Sequence, residues 1–196
     1  MRLIAGLGNM GSEYEWTPHN VGFLAIDALA ERGAIRVSRP EAKALVGRGV
    51  IAGQEVILAK PQTMMNLSGV AVRMLLDRYE CEPSEMIILL DEIDLPWGML
   101  RIRDRGRNST HNGLKSIIAT LGTDEFIRVR MGVQPTRIWG DRKDYLLCTM
   151  DRNERLIAQQ MAVDAAGAVE VILTEGLSKA MTRFNRKASN EEEEQQ

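Results

Sequence analysis

Only two cysteines and two histidines occur among the 196 residues. Cys81 and Cys148 stand far apart and outside any metal-type spacing, which fits a reducing compartment and argues against a disulfide framework. Long apolar runs are also missing, so no segment is expected to span a bilayer. The opening MRLIAGLGNMG has too short an apolar stretch for a secretory signal and turns glycine-rich at once. No internal repeat or interdomain linker interrupts the chain. With 44% apolar and 27% charged residues, these absences leave one soluble, cytoplasmic domain with a sizeable core.

The excess of negative charge is nominal. The formal charge is −2, but Glu191 to Glu194 place four carboxylates at the end of the chain, and the remainder carries +2 without them. Arginine recurs at Arg101, Arg103, Arg105 and Arg107, then at Arg128, Arg130, Arg137 and Arg142 beside Lys143, and finally with Lys179, Arg183, Arg186 and Lys187. Such density reads either as solvated surface or as an electrostatic footprint for phosphate.

Glycine, amide and histidine concentrate between Gly6 and Gly22, in GLGNMGSEYEWTPHNVG. Residues 2–5 predict a short buried strand entering a glycine turn. Gly6-x-Gly8-x-x-Gly11 satisfies the dinucleotide fingerprint, but Pro18 and the lack of helical periodicity over 12–19 deny it the helix that would receive a pyrophosphate. The apolar period from Val21 predicts a helix to Arg32, capped by Asn20 and ended by Gly33. His19 then stands at a loop-to-helix junction, and His111 in THNG repeats the arrangement. Each histidine is either a site residue or merely the residue before an asparagine cap.

Residues 43–60 predict a hairpin, and a helix is expected before Tyr79, after the loop Pro61 to Gly69. EMIILL over 85–90 reads as a buried strand delivering Asp91, Glu92 and Asp94 to its C-terminal end, where α/β proteins keep their sites. Two carboxylates and two histidines without a familiar ligand spacing argue against a metal. Further expectations are a strand over 99–103, a helix over 114–121, a strand over 126–133, an edge strand over 145–150, a long helix from Asp151 to Thr174 and a basic one over 177–184. From Asn185 onward the chain reads as polar and unstructured, so residues 1–185 form the domain and 186–196 an acidic tail. Alternating strands and helices with one hairpin predict an α/β fold: a three-layer α/β/α sandwich around a twisted mixed β-sheet.

In order along nearly the whole chain stand GLGNMG, Tyr14, Thr17-x-His19-Asn20-x-Gly22, Lys60-Pro61-x-Thr63-x-Met65-Asn66-x-Ser68-Gly69, Asp91-x-x-Asp94-Leu95-Pro96-x-Gly98 and His111-Asn112-Gly113-Leu114-Lys115. Together they resemble the bacterial peptidyl-tRNA hydrolases. The resemblance implies hydrolysis of the ester between a peptide's carboxyl and the terminal ribose of tRNA, recycling tRNA from stalled translation, by a monomer needing no metal or cofactor. It implies His19 as general base, Asp91 as the carboxylate orienting it, and Asn66 and Asn112 as amides that bind substrate and polarise the carbonyl. Asn9 matches the residue separating peptidyl-tRNA from free aminoacyl-tRNA, while Tyr14, Met64, Met65 and His111 match substrate contacts. Arg101, Arg103 and Arg130 match basic residues facing the tRNA acceptor stem.

Four departures from that pattern stand out. Arg107 to Thr110 replaces a glycine-rich loop, Pro18 an arginine, Met10 a proline and Met64 a phenylalanine. None removes a group assigned to catalysis. The altered loop and the arginine density also suit a different function, an RNA-binding protein on the same scaffold with impaired catalysis.

Overall fold

The computed structural model describes residues 1–106, 110–136 and 140–185. Residues 107–109 of the altered loop and the tail 186–196 lie outside the described residues, as do Arg137, Arg186 and Lys187.

Seven strands form one sheet: β1 (Arg2–Gly6), β2 (Arg39–Glu41), β3 (Ala44–Ile51), β4 (Gln54–Pro61), β5 (Met86–Glu92), β6 (Leu100–Arg103) and β7 (Ile127–Gly132). Their spatial order is β2-β3-β4-β1-β5-β7-β6. The central four, β4, β1, β5 and β7, run parallel, and β2, β3 and β6 add antiparallel pairs at the margins. The parallel strands carry near-continuous apolar runs because both faces are covered. Ile4, Leu58, Ile87 and Leu89 enter the core beneath α1 (Val21–Arg32) and α5 (Arg152–Thr174). Leu3, Ala5, Ile57, Ile88 and Leu90 enter the other core, beneath α2 (Ser68–Tyr79) and α3 (Asn112–Leu121). The expected three-layer sandwich is therefore present, with α6 (Leu177–Phe184) packed on α5 and near β6.

Glycine is required where α1 crosses the end of β1. A Cβ on Gly6 would lie 2.1 Å from the Gly22 carbonyl oxygen, and one on Gly22 would lie 2.4 and 2.5 Å from the carbonyl oxygens of Leu7 and Leu89. This approach presses the turn Pro18–Asn20, a single 3₁₀ turn, against β5, at the end that carries Asp91.

Three local expectations need correction. The segment expected as an edge strand over 145–150 is instead the helix α4 (Arg142–Leu147), whose N-terminus is capped by the Asp141 carboxylate accepting from Lys143 N. Its Tyr145 is buried and receives a hydrogen bond from Trp97 Nε1 at 3.1 Å. Asn185, read as the start of the unstructured tail, is fixed: its Oδ1 accepts from Ile102 N at 2.6 Å and its Nδ2 donates to Ile102 O at 3.1 Å, so a side-chain amide serves β6 as a neighbouring strand would. Among the described helices, α5 alone is long and apolar enough to cross a bilayer, contrary to the sequence expectation. Its apolar length has another use, since Ala158, Ala162, Ala165, Ala166 and Val169 are buried in the sandwich core.

Candidate active site

Parallel pairing brings the C-terminal ends of β1, β4 and β5 to one edge of the sheet, the usual site location in open α/β folds. Asn9 follows β1, Thr63 to Asn66 follow β4, Asp91 ends β5, and Asn112 opens α3. With His19 and His111 they line a cleft of about 590 Å³ that also receives Tyr14, Met64 and Met65. All nine residues expected at the catalytic centre or its substrate contacts, the arginines apart, are thus brought together.

One oxygen organises the centre. Asp91 Oδ1 lies 2.8 Å from His19 Nδ1 and 2.8 Å from His111 Nε2, and the carboxylate is almost fully buried. The two imidazoles stand 4.9 Å apart at 52°. The remaining bonds of His111 fix its tautomer: Nδ1 accepts from Gly113 N at 3.1 Å and Leu114 N at 3.3 Å, so the proton resides on Nε2 and is donated to Asp91. His111 is thus itself the cap of α3, and Asn112 is the first helical residue. His19 donates Nδ1–H to the same oxygen, leaving Nε2 without a hydrogen-bond partner among the described residues.

The electrostatics follow from this geometry. Burial alone would raise the Asp91 carboxyl, but the adjacent His19 and His111 imidazoles outweigh it and hold its pKa well below the usual carboxylate range. Burial likewise works against a charged His19, yet the Asp91 charge and hydrogen bond prevail and raise the His19 pKa above the ordinary 6.5. A base that keeps some affinity for a proton and one fixed tautomer is suited to taking a proton from water.

Asn66 and Asn112 are exposed to the cleft, and neither side-chain amide has a partner among the described residues. Asn9 is held differently. Asn20, read from the sequence as a cap, makes no cap bond; its Oδ1 accepts from Asn9 N at 2.8 Å and its Nδ2 donates to Asn9 O at 3.0 Å. His19, Asp91 and His111 are also the one buried group of potential metal ligands among the described residues. Both histidine contacts to Asp91, however, converge on a single oxygen at hydrogen-bond distance, and the tautomers above place a proton in each, so an ion would have to displace both.

The arginines divide. Arg101, Arg103 and Arg130 do not line the cleft. Arg101 pairs with Arg130 in register and Arg103 with Arg128, so these four point to the face of β6 and β7 opposite α5. Arg101 is exposed, whereas Arg130 Nη1 donates to Glu92 Oε2 at 2.9 Å. Arg128 is fully buried and donates to the carbonyls of Gly106, Asp124 and Phe126, a structural use the footprint reading did not separate. The sequence reading also missed α4, which supplies Arg142, Lys143, Leu146 and Leu147 to the cleft wall. Asp141 before RKDYLL was its available signal, an acidic cap ahead of a short amphipathic run.

The fold and this centre define a class: a hydrolytic α/β enzyme with a carboxylate-oriented histidine at the strand ends and free amides around it. Comparison with known proteins narrows the class. The peptidyl-tRNA hydrolase family model matches residues 3–193, and the chain belongs to that family. It is 49% identical to the peptidyl-tRNA hydrolase of Koribacter versatilis over 95% of this chain and 94% of that one. It is 45% identical to that of Solibacter usitatus over 98% and 100%. The crystal structure of the peptidyl-tRNA hydrolase from Acinetobacter baumannii superposes with a TM-score of 0.86 at 32% identity, covering 94% of each chain.

Proposed function

We propose that this protein hydrolyses peptidyl-tRNA, releasing the peptide and free tRNA. The observation that carries the reading is the hydrogen bond from His19 to the buried Asp91, with His19 Nε2 left free at a cleft rimmed by Asn66 and Asn112. His19 Nε2 takes a proton from water as the water oxygen attacks the ester carbonyl, and Asp91 stabilises the imidazolium. Asn66 and Asn112 donate to the oxyanion, an interaction worth about 2.7–4 kcal/mol per donor in comparable sites. Collapse breaks the bond to the ribose oxygen, which recovers the proton from His19. Asn9 gauges the blocked amino group of the substrate, while Tyr14, Met64, Met65 and His111 contact its peptide and 3′ end.

Arg101, Arg103 and Arg130 face the phosphates of the acceptor stem, and no metal or cofactor enters any step. We assign residues 1–185 to the catalytic domain and treat the protein as a cytoplasmic monomer. The alternative, an RNA-binding protein with impaired catalysis, finds no support in the centre, where every acid–base group is within bonding distance of its partner. The loop that motivated it, at 107–109, lies outside the described residues.

The test is cleavage of N-acetyl-aminoacyl-tRNA by the purified protein, with and without a chelator. Turnover in both, absent from His19→Ala, is expected. Tight RNA binding without turnover would favour the alternative.

A further inference from the structure

Exposed apolar side chains are unevenly spread over this surface. Met10, Met64, Leu67, Val70 and Met74 are 46%, 66%, 47%, 37% and 41% exposed, and they make up five of the nine large exposed hydrophobic residues among the described ones. Met10 and Met64 line the cleft. Leu67 follows Met64 in a 3₁₀ turn closed by Leu67 N donating to Met64 O at 2.8 Å, and Val70 and Met74 continue it at helical spacing on the outward face of α2. The other apolar residues of α2, Ala71, Val72, Leu75 and Leu76, are buried beneath it, so the stripe is surplus to the core.

We propose that this stripe is an extended subsite for apolar side chains of the substrate's peptide, upstream of the residue esterified to tRNA. The inference rests on the proposed reaction, which puts the ester carbonyl beside His19 and Asn66 in the cleft and requires the rest of the peptide to leave it. Met64 belongs to both the cleft and the stripe, which makes the surface continuous with the site where the peptide begins. Leu67 to Met74 spans about 10 Å of helix, the length of about three residues of extended peptide. Methionine at both ends suits a surface that meets varied apolar side chains, since its unbranched thioether adapts to different shapes. Arg101 and Arg103 stand on β6 at the sheet edge, whereas α2 packs over β1 and β4 on the same side, three and four strands away, so the stripe and the arginines are laterally separate.

The test compares two tRNAs carrying N-acetylated pentapeptides of equal length, one of leucine and valine and one of serine and glycine, together with N-acetyl-aminoacyl-tRNA. The wild type is compared with the double variant Val70→Gln, Met74→Gln. Glutamine is a good helix former and adds no charge, so folding and tRNA electrostatics are retained. The wild type should prefer the apolar pentapeptide by about three- to tenfold in kcat/KM, and the double variant should lose that preference while cleaving N-acetyl-aminoacyl-tRNA at the wild-type rate. An unchanged preference in the variant, no preference in the wild type, or an equal loss on all three substrates would overturn the subsite. So would concentration-dependent self-association of the wild type that the substitutions abolish without altering the preference, which would make the stripe an interface between copies. Failure of the wild type on N-acetyl-aminoacyl-tRNA itself would overturn the parent reaction and the subsite with it.

Discussion

Asn20 holds Asn9 with both ends of one side-chain amide, accepting from its N–H at 2.8 Å and donating to its carbonyl at 3.0 Å. Asn20 is buried, so Asn20→Ala removes two bonds and leaves two backbone groups of the loop unpaired. Stability is expected to fall by about 1–3 kcal/mol, read from denaturant midpoints. The functional consequence is a loosened Asn9. The kcat/KM ratio between N-blocked and free aminoacyl-tRNA should therefore narrow by about ten- to hundredfold, as a misplacement of about 1 Å can produce. An unaltered ratio would remove Asn9's position from the determinants of discrimination.

Asp91→Asn tests the charge beside the base. The neutral amide can no longer favour protonated His19, whereas its one oxygen, with two lone pairs, still accepts from both imidazoles as Asp91 Oδ1 does. We expect kcat to fall by about 10²–10⁴. The pH profile should also move. In the wild type kcat/KM declines with acidification through a pKa above 6.5, because Asp91 raises that of His19. In Asp91→Asn the acid limb should shift to lower pH, measured with chemistry rate-limiting. The same limb in both proteins would contradict the pairing.

The same pair makes stability and activity peak at different pH. Asp91 has a depressed folded pKa, so its contribution is present above the unfolded value of about 3.9 and is lost as pH falls through the folded one. His19 has a raised folded pKa, so its contribution is full below the unfolded value of about 6.5 and is lost as pH rises through the folded one. Both are complete between about pH 4 and 6.5, where His19 is protonated and cannot act as a base. The stability difference between the wild type and Asp91→Asn, followed by thermal unfolding from pH 3 to 9, should be largest in that window and shrink on either side. A difference independent of pH would mean that the carboxylate contributes through packing alone.

How much of this was legible in the sequence depended on whether a residue's role is local. The strands β1, β4 and β5 and the helices α1, α2, α3 and α5 follow from apolar periodicity, and the ordered motifs gather Asn9, His19, Asn66, Asp91 and Asn112 into one cleft. Roles set by distant partners were hidden. Asn20 has the position and chemistry of a helix cap, and only the fold brings Asn9, eleven residues back, within reach of its amide. His111, and not the following Asn112, caps α3 because the Nδ1 of an imidazole can accept from backbone N–H groups as a carboxylate does. YLLCTM over 145–150 reads as an edge strand because Tyr145, Leu146 and Leu147 dominate so short a run, while the cap at Asp141 and the bond to Trp97 decide for helix. Arg128 was indistinguishable from Arg101 and Arg130 until burial separated them.

That separation can be measured. Arg128 donates to three backbone carbonyls from a fully buried position, where desolvation and the nearby Arg130 pull its pKa down to about 10. Arg128→Met should cost about 1–3 kcal/mol of stability, since it leaves the buried Phe126 carbonyl and the half-buried Gly106 and Asp124 carbonyls without this donor. Arg101 is exposed and makes no contact of that kind among the described residues, so Arg101→Ala should change stability by no more than about 0.5 kcal/mol. It should instead weaken tRNA binding and reduce the slope of log Kd against log salt by about one. If Arg101→Ala left the salt slope unchanged, the phosphates would lie elsewhere. Arg103, which follows on the same face of β6 and is only half-buried, should behave as Arg101 does. A loss of stability there would instead place it with Arg128 among the residues that build the fold.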